Sequence, residues 1–107
     1  MQDQRAHVRR LVQAHAKLAS ANGKQWVEVQ LLDISRMGLA FASAETVEEG
    51  STRMLRFSLP DSPVTNEVFV KIVHNGSAGA NGTIRVGARF AAIEQACTER
   101  IAAFVAQ

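Results

Sequence analysis

Two small groups of residues in this sequence have the types and spacing to do chemistry. The first is Arg5-Ala-His-Val-Arg9, two arginines four positions apart near the N-terminus. The second is Asp33-Ile-Ser-Arg-Met-Gly38, which sets Asp33, Ser35 and Gly38 at fixed offsets. A guanidinium is a planar, permanently charged fork that meets carboxylate or phosphate oxygens two at a time and stacks on flat rings. Asp and Ser hydrogen-bond the backbone of tight turns, and Gly supplies the positive φ such turns often need. The second group therefore reads first as a strand-to-strand turn. Counting separates the two groups. The chain holds seven Asp plus Asn, seven Ser and seven Gly, so chance yields Asp/Asn-x-Ser-x-x-Gly roughly 0.03 times. Nine Arg yield Arg-x-x-x-Arg roughly 0.8 times, and a second copy stands at Arg85 and Arg89. The Asp-Ser-Gly group carries the information.

The elements that position these groups follow from periodicity. Residues 1–10 are polar and basic without apolar period, a flexible leader. From Val12, apolar Val12, Ala14, Ala16 and Leu18 alternate with Gln13, His15 and Lys17, a half-buried strand. Asn22-Gly23 is a hairpin signal, and the return strand from Gln25 to Leu32 sets Val27, Val29 and Leu31 toward the core. The Asp33–Gly38 turn and a short strand through Phe41 come next. Residues 42–50 are small and acidic, a connector. Leu55, Phe57 and Leu59 mark a fourth strand stopped by Pro60, and Val64 to Val73 a fifth. Residues 75–82 read as a loop, and Thr83 to Phe90 as a sixth strand antiparallel to the fifth. From Ala91 the period changes: Ile93, Cys97, Ile101, Phe104 and Val105 recur at helical spacing. Six short, turn-marked strands suggest a small antiparallel barrel, with the helix plugging or flanking one end.

Composition bounds the rest. With 107 residues, 47% of them hydrophobic and 21% charged, one globular domain is expected. The single cysteine, Cys97, excludes an internal disulfide and multi-cysteine metal sites. His7, His15 and His74 have no metal-ligand spacing, so no metal is expected. No apolar run approaches the ~20 residues of a membrane span, and no secretory leader is evident, which makes a cytoplasmic protein the expectation. The residues lack a Ser–His–Asp order, a convincing carboxylate pair and a phosphate-cradling glycine loop before a helix, so an enzyme is not expected.

The arginine leader, the Asn-Gly hairpin, the Asp33–Gly38 turn, the Gly87-Ala-Arg-Phe90 strand and the terminal helix follow one another in an order that resembles the PilZ domain family. The likeness covers nearly the whole chain. It implies a six-stranded antiparallel β-barrel of split-barrel type with a C-terminal helix: leader 1–10, barrel 11–90, helix 91–106. It also implies a receptor for cyclic di-GMP, with no cofactor, acting through an effector protein in motility, adhesion or exopolysaccharide control; the basic leader is expected to become ordered as its arginines meet the ligand. Carried onto matching positions only, the ligand-binding residues would be Arg5, Arg9, Asp33, Ser35 and Gly38. Arginine suits both features of cyclic di-GMP, its phosphodiesters and its guanines. Asp33 would accept from the guanine N1–H and N2–H2, Ser35 would offer a hydroxyl to phosphate or base, and Gly38 would let the backbone bend and approach closely.

Two other readings remain. A small barrel with a basic leader suits single-stranded nucleic acid, although the chain has no Tyr and no alternating aromatic–basic face. A PilZ-like domain that binds only proteins is the other, and the intact motifs weigh against it. Arg85 and Arg89 share one face of a strand and read as solvent-facing, able at most to flank a site. Arg10 and Arg36 read as exposed charges, Trp26 as a core or rim aromatic, and Cys97 as a core residue of the helix.

Overall fold

A computed structural model describes residues 8–79 and 81–107. Six strands, β1 (Arg10–Ala19), β2 (Trp26–Ile34), β3 (Gly38–Ser43), β4 (Thr52–Phe57), β5 (Asn66–Ala78) and β6 (Ile84–Ala92), precede one helix, α1 (Gln95–Val105). All pairings are antiparallel, and the strands close in the order β1-β2-β3-β6-β5-β4, with β4 returning to β1. The all-β barrel with a C-terminal helix is thus the fold, as the periodicity and the resemblance imply.

The inner faces carry the alternating apolar residues. Leu31, Ile34, Leu39, Phe41, Leu55, Val70, Ile72 and Val86 are all but inaccessible to solvent, and each such side chain contributes about 1.5–3 kcal/mol by leaving water. Cys97, Ile101 and Phe104 of α1 join the same core. The helix closes the end of the barrel where β1 begins and β2 ends, because Arg10 lies opposite Ile34 and also reaches the helix C-terminus. The Asp33–Gly38 turn sits at that same end. At this end, too, buried Asn66 donates to the Phe57 carbonyl at 3.3 Å and accepts two bonds from Arg100 of α1 at 2.9 and 2.7 Å.

Several boundaries differ from the sequence expectation. The acidic connector is not merely a spacer: its Val47 is buried in the core, held by Asn75, whose amide bonds both Val47 N–H and C=O at 3.0 and 2.7 Å. Strand β5 runs on through Asn75-Gly76-Ser77-Ala78, which glycine content marks as loop, because β6 offers ladder partners as far as Ile84. Strand β6 continues to Ala92, and α1 begins only at Gln95. Val27, expected in the core, is 50% exposed because it lies at the barrel rim. The Asn22-Gly23 loop places Gly23 at φ 75, with Ser20 N–H donating to Gln25 O at 2.8 Å to close the hairpin.

Candidate functional site

An uninterrupted period of two through Val27, Val29 and Leu31 would carry Asp33 onto the inner face of β2. A bulge between Leu31 and Asp33 resets the phase. Ile34 then falls in the core, and Asp33 lies opposite Ala40 of β3, which stands between inward-facing Leu39 and Phe41. Asp33 therefore faces the outer surface of the barrel.

Its carboxylate is nevertheless only 5% exposed, because two arginines cover it. Arg9, immediately before β1, donates from Nη1 to Oδ1 at 2.7 Å. Arg85, on β6, donates from Nη2 to Oδ2. Arg85 stands opposite Ala42 of β3, so its long side chain crosses β3 above small residues to reach β2. Both guanidinium side chains remain about half exposed, at 50% and 56%. Two cations on one anion leave a cluster of net charge +1. Such a cluster favours an anionic visitor, since a desolvated carboxylate already holds the arginines in place.

Beside this cluster lies a depression of about 620 Å³ on the outer face of β1, β2, β3 and β6. His15, Gln30, Leu32, Ala42, Ala44 and Arg85 line it. Its size is within the range of about 300–1,000 Å³ usual for small-molecule sites.

The turn itself is built from Ser35 and Gly38. Ser35 is 3% exposed. Its N–H donates to Gly38 O at 2.8 Å, and its Oγ accepts from the Met37 and Gly38 N–H groups at 3.2 and 3.3 Å. The hydroxyl expected to meet a ligand is thus spent on the turn. Gly38 is needed for another reason than the positive φ the sequence suggests. The glycines with positive φ are Gly23, Gly50 and Gly82 among the described residues. A Cβ at Gly38 would stand 2.2 Å from Ala88 O and 2.9 Å from Arg89 Cα, so only glycine lets β3 approach β6 there.

The structure therefore brings together Arg9, Asp33, Ser35 and Gly38; Arg5 lies outside the described residues. It adds Arg85, which strand spacing assigns to solvent. The signal for it was the second arginine pair, but nothing in the sequence says that β6 pairs with β3 rather than with β1. Arg89, its companion, lies opposite Gly38 and is exposed. Arg10, also read as an exposed charge, is instead engaged: its guanidinium lies 4.1 Å from the Phe104 ring centroid and donates to Phe104 O at 2.7 Å and Gln107 Oε1 at 3.2 Å. That cation supplies a partner to carbonyls at the negative end of α1. Leader residues Arg9 and Arg10 are thus both anchored. Trp26 is half-buried under Arg56, 4.2 Å from its ring, and Arg56 also pairs with Glu67. No cluster of three or more His, Cys, Asp or Glu fit for a metal occurs among the described residues. Nor is any helix among them long and apolar enough to cross a membrane.

Comparison with known proteins agrees with this fold. The sequence matches the PilZ domain over residues 3–107. No curated protein matches it. Among solved structures, the Bacillus subtilis inhibitor of motility MotI/DgrA superposes with a TM-score of 0.85 at 13% identity, over 98% of this chain and 51% of that one. The PilZ domain of Escherichia coli YcgR with c-di-GMP gives 0.75 at 12% identity, over 96% and 89%. The K. pneumonia MrkH–c-di-GMP complex gives 0.76 at 12%, over 99% and 52%. The chain thus spans about half the length of MotI/DgrA and MrkH. At these identities the superpositions speak for the barrel, while the sequence match speaks for the family over nearly every residue that builds barrel, turn and helix: the chain belongs to the PilZ domain family.

Proposed function

We propose that this chain is a cyclic di-GMP receptor that signals to a partner protein, a regulatory module rather than an enzyme, at work in the cytoplasm. The observation that carries the reading is the outward-facing Asp33 held between Arg9 and Arg85 beside an open depression. Cyclic di-GMP has two phosphodiester anions and two guanines. Arginine answers the first, and a carboxylate answers the paired N1–H and N2–H2 donors of the second. Arg9, with Arg5 four residues earlier, takes phosphate or stacks on base; Asp33 reads guanine; Ser35 and Gly38 hold the turn that aims Asp33. YcgR and MrkH, of the same barrel, are each described in complex with c-di-GMP. Through such a partner the output would be motility, adhesion or exopolysaccharide synthesis.

Calorimetry tests this. Cyclic di-GMP should bind near or below ~1 μM, about 8 kcal/mol at standard state. GTP and GMP should bind far more weakly, because neither presents two guanines across one closed diphosphate ring. Absence of heat at tens of micromolar ligand would overturn the reading.

A further inference from the structure

We infer that Arg85 is a further ligand-binding residue, which exchanges Asp33 for a phosphodiester oxygen as a guanine takes its place on the carboxylate. The inference rests on cyclic di-GMP as ligand. In the structure each oxygen of Asp33 accepts from one arginine, Oδ1 from Arg9 and Oδ2 from Arg85. A guanidinium and the Watson–Crick edge of guanine present the same thing to a carboxylate, adjacent N–H donors in one plane. Each oxygen keeps a second lone pair, but the carboxylate is only 5% exposed beneath the two guanidiniums, so the planar edge of a guanine gains access when one arginine moves aside.

The geometry selects Arg85. It forms part of the wall of the 620 Å³ depression, whereas Arg9 does not line it. It has room to turn: Ala42 stands opposite it on β3, and at Gly87, two residues along β6, an added Cβ would meet nothing within 4 Å. Asp33 is its only ion-pair partner among the described residues. The exchange conserves contacts. Asp33 loses one cation and gains two guanine donors, while the freed guanidinium gains a phosphate, which suits its fork as well as a carboxylate does. One residue thus covers the carboxylate and then holds the ligand.

The test is calorimetry of wild type, Arg85→Gln and Arg85→Lys with cyclic di-GMP at two salt concentrations, repeated for Arg85→Gln in an Asp33→Asn background. Thermal melts show that each variant is folded. Arg85→Gln should bind roughly tenfold to hundredfold more weakly, the loss of one charge-assisted bond. Its affinity should fall less steeply with salt, because one ion contact is gone. Arg85→Lys, charged but without the fork, should fall between the two, and it carries the test should the Gln variant fail to fold. Lowered affinity should persist in the Asp33→Asn background, where there is no carboxylate left to position. Variants that bind as tightly as wild type, or an Arg85 effect that vanishes in the Asn background, would overturn this inference while leaving the receptor reading intact. Wild type without heat overturns both.

Discussion

Arg9 and Gly38 belong to one motif set but fail in opposite ways. Arg9 stands half in solvent on a buried carboxylate that retains Arg85, so removing it should cost on the order of 1 kcal/mol of fold stability, more than a fully exposed pair but less than a buried charge left unpaired. At the proposed ligand interface its loss should cost more. Arg9→Ala should lower cyclic di-GMP affinity by roughly 2–4 kcal/mol, as truncation of one side of a desolvated charged contact does, with only a small drop in melting temperature. Gly38→Ala should do the reverse, since a methyl 2.2 Å from Ala88 O forces β3 from β6. Overpacking of this kind costs typically ~1–3 kcal/mol of stability, and affinity should suffer only through the displaced turn. Calorimetry and melting of both variants check the pair, and a Gly38→Ala protein as stable as wild type would show that the close approach relaxes freely. The glycine was legible as necessary, but its reason was not. Sequence shows a turn and suggests positive φ, whereas the contact it serves is with a strand about fifty residues away.

Among elements, α1 was legible from its 3.6-residue period, yet its attachment was not. Three bonds fix it, from Arg10 at its C-terminus and from Arg100 to Asn66 at its flank, and no periodicity announces a pairing across ninety residues. Strand β2 shows the same limit: its alternation was plain, and the bulge that turns Asp33 outward left no mark on it. The buried face of α1 also makes a pH prediction. Burial pushes the Cys97 thiol above its ordinary 9.0, an effect that nearby Arg100 partly offsets. The unfolded chain releases that proton near pH 9.0 while the folded chain keeps it, so this contribution to stability is complete below pH 9 and is lost as pH rises through the folded value. Between pH 8 and 10, Cys97→Ala should lose less stability than wild type in urea melts. Parallel curves would show that another group governs the alkaline limb.

For the whole molecule, the closed order β1-β2-β3-β6-β5-β4 gives each of the six strands two neighbours, with β1 meeting β4 over Ala16–Leu18. A ligand of the proposed kind therefore has little barrel backbone to rearrange, and its effects should fall on side chains. The barrel as a class was readable because strand number, turn signals and the terminal helix are local properties. The family resemblance supplied the six-stranded barrel but no strand order, which comes from the structure. The meeting of Arg85 with Asp33 follows only from closure, since β3 lies between their strands.

Arg9 and Arg10 are successive residues with separate anchors, one on Asp33 and the other on Phe104. Trypsin cuts after an arginine only when that side chain can leave its partners and enter the protease pocket. Limited digestion should accordingly cut first after exposed Arg36, in the turn, and late after Arg9 or Arg10. Asp33→Asn should advance cleavage after Arg9 and leave Arg10 protected by the helix, and cyclic di-GMP should delay the Arg9 cut in wild type. Equal cleavage after Arg9 in wild type and Asp33→Asn would mean that the ion pair does not hold the N-terminal segment. A gel band thus becomes a gauge of whether the segment ahead of the barrel is fastened.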